Sequence, residues 1–117
     1  MTTRPAVPLP RWLRAAIVAL VCLLPGLAAA QELTPIRVSE HAWYVLGDAG
    51  MASGANRGFN SNAGFVVTAD SVIVIDALGT PPLGEALLAA IRRITDKPVR
   101  RVILTHYHAD HFYGLPA

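Results

Sequence analysis

The chain has 117 residues, a formal charge of +2 and an isoelectric point near 9.1, and 53% of its residues are hydrophobic. Charged residues make up 15%, too few for a disordered polyelectrolyte or a nucleic-acid-binding tail. A single cysteine excludes an internal disulfide framework and a Cys-x-x-Cys zinc module, and the length suits one domain rather than two.

The first segment, residues 1–30, carries Arg4, Arg11 and Arg14 and no acid, then an apolar run from Ala15 to Leu24, a break at Pro25-Gly26, and Ala28-Ala29-Ala30. A basic start, a short apolar run and a small-residue site predict a secretory signal peptide cleaved after Ala30. A membrane anchor is the alternative, but ten helical residues rise about 15 Å, half the hydrocarbon core of a bilayer. Cys22 falls inside the discarded run. The mature chain, 31–117, holds seven basic and eight acidic side chains and no cysteine, so any metal there must be held by His, Asp or Glu. Export to the periplasm or the medium is expected, with no stable membrane span after cleavage. A near-neutral mature chain argues against a nucleic-acid partner, and Arg92, Arg93, Lys97, Arg100 and Arg101 read as a solvated rim.

Ile36 and Val38, a turn at Ser39-Glu40-His41, and the apolar stretch from Trp43 to Leu46 predict a hairpin. His41, alone in that turn, reads as a plain surface histidine. Gly47 to Ser61 is a long glycine- and asparagine-rich stretch, either a functional loop or a disordered insertion. Asn62–Thr68 and Ser71–Asp76 predict two more strands around a turn at Ala69-Asp70. Within the second, the β-branched run Val72–Ile75 suggests a strand covered on both faces.

Thr80 is a candidate N-cap, Pro81 and Pro82 suit a first helical turn, and Leu83, Leu87, Ile91 and Ile94 fall on one helical stripe widened by Leu88 and Ala90. Lys97-Pro98 stops that helix. Val99–Thr105 predicts a final strand that feeds a histidine-rich turn. The order is ββ–loop–ββ–α–β, and a loop at the end of a sheet strand is where such sheets usually place their chemistry.

That turn reads Thr105-His-Tyr-His-Ala-Asp-His-Phe-Tyr-Gly114 and holds three of the four histidines. Chance placement of His-x-His-x-Asp-His in this composition is roughly 2 in 10,000, so a chance surface cluster is a poor alternative. Imidazole and carboxylate suit zinc and related divalent ions. In an extended segment, side chains two apart point the same way, so His106 and His108 can reach one ion. A helical turn at Ala109 would send Asp110 and His111 toward a second. Paired ions of this kind lower the pKa of bound water from about 15.7 to about 7 and polarise the carbonyl or phosphoryl group under attack. Asp110 would also orient the attacking oxygen, which makes it the candidate catalytic residue.

From Trp43 to Gly114 the chain resembles the N-terminal half of the metallo-β-lactamase-fold hydrolases. The resemblance rests on Asn62-Ala-Gly-Phe-Val-Val-Thr68, Val72-Ile-Val-Ile-Asp76, the amphipathic helix, and Val102-Ile-Leu-Thr-His106-Tyr-His108-Ala-Asp110-His111. Gly54-Ala-Asn-Arg-Gly-Phe-Asn-Ser-Asn62 is similar to exported relatives near quinoprotein oxidation and sulfur-oxidation systems.

The resemblance implies an α+β fold, one half of an αββα sandwich. It also implies a zinc-dependent hydrolase of esters, thioesters, lactones or amide-type bonds in small-molecule substrates. It assigns His106 and His108 to a first zinc, Asp110 and His111 to a second, and Asp76 to support from behind the ligands; for Asp76 a turn or cap role is the alternative. Gly114 would let the segment after the motif pack closely, and Gly54, Asn56, Phe59 and Asn60 would belong to a flap at the site mouth. Family members draw their remaining ligands from beyond the first motif. The resemblance therefore implies a truncated chain, catalytically inactive by itself, whose exposed sheet face invites association. A non-catalytic metal- or partner-binding product is the alternative, followed by a small enzyme assembled from two chains.

Overall fold

The computed structural model describes Pro10 and residues 31–117; the signal-peptide reading, its cleavage site and Cys22 fall outside the described residues. Five strands form one sheet in the order β1-β2-β3-β4-β5: β1 (Ile36–Arg37), β2 (Ala42–Val45), β3 (Ala63–Val67), β4 (Val72–Ile75) and β5 (Val99–Ile103). Strands β1 to β4 are an antiparallel meander, and β4 pairs parallel to β5. The crossover between the parallel strands is helix α1 (Pro81–Arg92), and a one-turn helix α2 (Ala109–Phe112) follows β5. Among the described residues no helix is long and apolar enough to cross a membrane.

The parallel pair decides where the site can be. In a parallel ladder the carboxyl ends of both strands lie at the same edge of the sheet. Ile75 is opposite Ile103, and the Asp76 N–H donates to the Ile103 carbonyl at 2.9 Å. The residues leaving β4 and β5 are thereby brought together although 29 positions separate Asp76 from Thr105. A register shift near the start of the pair lets Val99 face Val72 while Arg101 faces Ile73, so the extra residue, Arg100, is taken up as a bulge.

One face of the sheet packs on α1. Val45, Ala63, Phe65, Val72 and Val74 point toward Leu83, Ala86, Leu87, Ala90 and Ile91 of the helix, with Leu33 beside them. Trp43 stacks on Phe65 across the β2–β3 pair at 5.5 Å between ring centroids, a cross-strand contact of the kind that stabilises sheets. The Thr80 side chain caps α1 by accepting from Leu83 N–H at 3.3 Å, and the two prolines occupy the positions that need no N–H donor. Arg93 donates to the Leu33 carbonyl and Lys97 to the Thr68 carbonyl at 2.7 Å, so two members of the basic rim tie chain segments together.

Two sequence expectations are corrected. Val72–Ile75 is not covered on both faces: Val72 and Val74 are buried against α1, whereas Ile73 and Ile75 are half-exposed on the other face, which no layer covers among the described residues. Ile94 does not extend the helical stripe, because α1 ends at Arg92, Arg93 caps it, and Ile94 is exposed.

Gly84 and Gly114 mark the closest approach between α1 and the segment after α2. A methyl on Gly84 would stand 2.2 Å from the Gly114 carbonyl oxygen, and one on Gly114 would stand 1.9 Å from the Ala77 carbonyl oxygen. Only residues without a β-carbon fit this contact, and the Gly114 N–H then reaches the Leu78 carbonyl at 2.9 Å.

Candidate metal centre

Asp76 stands at the end of β4 with φ +60, a left-handed conformation that aspartate tolerates better than most residues, and two positions on Leu78 also has positive φ. This kinked exit turns the Asp76 carboxylate back under the end of β5. The side chain is buried and satisfied on both oxygens. Oδ1 accepts the Thr105 backbone N–H at 2.8 Å; Oδ2 accepts the Thr105 hydroxyl at 2.7 Å and faces His111 Nδ1 at 2.8 Å. Burial pushes the Asp76 carboxyl up, but the Thr105 N–H, the Thr105 hydroxyl and His111 together hold it below the ordinary aspartate range. Asp76 is therefore a charged anchor under the turn.

The turn itself places the four motif residues within reach of one another. Thr105 Oγ1 lies 2.9 Å from His106 Nδ1, and His106 Nε2 lies 3.1 Å from His108 Nδ1. The His106 and His111 rings are 4.1 Å apart between centroids. His111 Nε2 lies 3.6 Å from Asp110 Oδ2. His106 and His108 are exposed, while Asp110 and His111 are partly buried.

Among the described residues, no group of three or more His, Cys, Asp or Glu side chains is arranged to hold an ion. The donors come instead as two pairs. Zinc–nitrogen bonds of about 2.0–2.1 Å at a tetrahedral angle put ligand atoms roughly 3.3 Å apart. The His106 Nε2–His108 Nδ1 separation of 3.1 Å and the His111 Nε2–Asp110 Oδ2 separation of 3.6 Å both lie close to that edge length. Each pair thus fits two corners of a coordination sphere, and each calls for further donors, because catalytic zinc usually takes three protein ligands.

The Gly47–Ser61 loop borders this centre. Its base is closed by Asp48 N–H to the Phe59 carbonyl and by Gly47 N–H to Asn62 Oδ1, both at 2.9 Å. Asn56 organises the tip by accepting from Ser53 and Gly58 N–H and donating to the Met51 carbonyl. Gly54 is exposed near that tip, and Phe59 packs against the core. Asn60 reaches inward, with Nδ2 3.4 Å from Asp110 Oδ2, and the Ser61 hydroxyl donates to the Asp110 carbonyl. A cleft between loop and sheet is lined by Asp48, Asn60, Asp76, Thr105 and His111. His41, far along the hairpin, is exposed beside Glu40.

Thr105 and Ser61 carry contacts that the sequence reading did not assign. Thr105 had a signal in the sequence: it precedes the first motif histidine at the end of a strand that neighbours the one carrying Asp76. Ser61 had none, since it meets Asp110 across 49 positions.

The model of the metallo-beta-lactamase superfamily matches residues 56–117. A linear primary-alkylsulfatase of Pseudomonas sp. (strain ATCC 19151) is 33% identical over 48 residues, which are 41% of this chain and 9% of that enzyme. Among solved structures, the mono-zinc form of the metallo-beta-lactamase FIM-1 of Pseudomonas aeruginosa shares the fold with a TM-score of 0.59 at 20% identity, over 74% of this chain and 38% of that one. A metallo-beta-lactamase of Erythrobacter litoralis with beta-mercaptoethanol in its active site gives 0.56 at 28% identity, over 74% and 37%. The chain thus spans well under half the length of the relatives it matches.

Proposed function

Because the chain belongs to the metallo-beta-lactamase superfamily, a superfamily of metallo-hydrolases, we propose that it supplies the first ligand cluster of an exported, zinc-dependent hydrolase acting on an ester, thioester, lactone or amide-type bond of a small molecule. The observation that carries this reading is the division of the donors into two pairs, each at the spacing of two ligands on one ion, above a buried carboxylate. His106 and His108 would hold one zinc, and Asp110 and His111 the other. Zinc bound there would act as a Lewis acid and lower the pKa of water to near neutrality.

The chain's own residues prepare the site for this. A histidine ligates through a nitrogen that carries no proton, so its other nitrogen must carry one and have it accepted. His111 meets that condition by donating Nδ1–H to Asp76, which leaves Nε2 free on the side of Asp110. His106 meets it by donating Nδ1–H to the Thr105 hydroxyl, which passes its own proton to Asp76, leaving Nε2 free on the side of His108. One buried carboxylate therefore sets the tautomer of a histidine in each pair. The Asp110 carboxylate, partly exposed, is the group placed to accept a hydrogen bond from the attacking oxygen.

A second reading is favoured by the absence of a third donor for either pair among the described residues: a chain that binds metal without turnover until another segment or partner completes the sites. Zinc content of the purified chain, with hydrolysis of ester, thioester, lactone and β-lactam substrates assayed on the protein extended by the second half of the fold, separates the two. The hydrolase reading expects zinc bound to this chain and reduced in His106→Ala, and turnover in the protein extended by the second half of the fold, abolished there in Asp110→Ala without unfolding. Bound zinc with no hydrolysis of any of these substrates by the extended protein selects the second reading. Zinc content unchanged in His106→Ala overturns both.

A further inference from the structure

We infer that Asn60, together with Ser61, is a positioning element for Asp110: the end of the Gly47–Ser61 loop clasps that residue and aims its carboxylate at the second metal position. The inference rests on the two-pair reading of the donors and concerns residues to which that reading assigns no such role.

Two neighbouring residues hold Asp110 at two different groups. Ser61 takes the backbone carbonyl, and Asn60 offers an amide N–H to the side-chain oxygen Oδ2. Oδ2 is also the oxygen that faces His111 Nε2. A carboxylate oxygen has two lone-pair directions. With Asn60 on one of them, the carboxylate cannot rotate freely, and the other stays available on the His111 side.

The orientation of the Asn60 amide supports this independently. Its Oδ1 is buried and has no hydrogen-bond partner among the described residues. Buried polar atoms are seldom left in that state, and each exception calls for a reason. Turning the amide over would set Oδ1 against the Asp110 carboxylate, oxygen against oxygen. The orphaned carbonyl oxygen is the consequence of presenting the N–H to Asp110.

The clasp is also rigid. Phe59 packs on the core immediately before Asn60, and Asn62 bonds to Gly47 immediately after Ser61. Gly79 also closes on the same residue: a methyl there would come within 3.1 Å of Asp110 Cα and 3.3 Å of the Gly58 carbonyl oxygen in the loop. Asp110 is thus in close contact with both the loop and the exit from β4. Ligating carboxylates that are themselves hydrogen-bonded lose about 10- to 100-fold in metal affinity when that partner is removed.

Cobalt(II) titration of the whole chain, followed by its ligand-field absorption, tests the clasp. Two classes of site are expected in the unsubstituted protein, with the class containing Asp110 identified by its loss in Asp110→Ala. Asn60→Ala is expected to weaken that class about 10- to 100-fold while the His106–His108 class and the melting temperature stay unchanged. Asn60→Asp, which sets a second anion against Asp110, is expected to misplace the carboxylate at least as much, and Asn60→Gln to recover part of the affinity. Equal affinity at the Asp110 site in Asn60→Ala and the unsubstituted chain overturns the clasp and leaves the two-pair reading intact. Parallel weakening of both classes makes Asn60 a general structural residue and also overturns it. No cobalt uptake by the unsubstituted chain overturns the two-pair reading and the clasp together.

Discussion

Asp76 is the residue on which the turn depends. It has two oxygens and three donors, two of them from Thr105 and one from His111. Replacing it with alanine leaves those donors unpaired in a partly buried place, at about 1–3 kcal/mol for each that finds no water. Asp76→Ala is therefore expected to lower the urea midpoint and to weaken metal binding at both pairs, since both His106 and His111 take their tautomer from it. Asp76→Asn keeps the side-chain volume and one acceptor. It is expected to recover most of the stability but not the metal affinity, which denaturation and cobalt titration measured on the same samples will separate. At this scale the sequence was legible where chemistry is local. His106, His108, Asp110 and His111 fall within six positions, and their spacing alone suggested a division into two pairs. Thr105–Asp76 and Ser61–Asp110 were not legible as pairs. Both contacts are made by folding, across 29 and 49 positions, and a serine or threonine carries no pattern that announces such a partner.

At the scale of the element, the periodic signals were read well and the ends less so. Thr80, the two prolines and the Leu83–Leu87–Ile91 stripe located α1, because capping and burial act on neighbouring turns. Ile94 misled because the chain leaves the helix at Arg93, bringing Ile94 N–H to the Ile91 carbonyl at 2.9 Å. The run Val72–Ile75 misled because β-branched residues are favoured in strands whichever face is covered. Gly84 and Gly114 show what periodicity cannot convey. They are contact points between elements, and adding a methyl to either is a test of that contact. Gly114→Ala would drive a methyl into the Ala77 carbonyl, at the start of the exit that shapes Asp76. Overpacking of this kind costs about 1–3 kcal/mol. A lower thermal midpoint is expected for Gly114→Ala, whereas Gly54→Ala, in open space at the loop tip, should melt with the unsubstituted protein. Equal midpoints for all three would show that the contact of Gly114 with Ala77 is looser than the geometry implies.

At the scale of the whole molecule, the sheet is finished on one side only. The α1 face buries Phe65, Val72 and Val74 almost completely. The opposite face follows from the pairing registers: Tyr44 beside Gly64, Val66 beside Ile73, and Ile75 beside Ile103. These apolar side chains remain half-exposed, and Ile103 is 52% exposed, with no covering layer among the described residues. Contiguous apolar surface of this kind marks an interaction site or an aggregation liability. The side of β5 that no strand pairs among the described residues adds to it, because an edge strand offers unpaired backbone groups to another chain. The residue pattern made the uncovered layer legible only through the family resemblance; the continuous β-branched run Val72–Ile75 by itself had suggested that β4 was enclosed. The expected behaviour of the purified chain is concentration-dependent association, measured by sedimentation velocity. Ile103→Lys places a charge at the β5 edge of that face without disturbing the α1 core, and should shift the distribution toward monomer while leaving the urea midpoint within experimental scatter. A chain that sediments as a monomer at every concentration, with or without the lysine, would show that the half-exposed isoleucines are tolerated singly and that this face does not drive association.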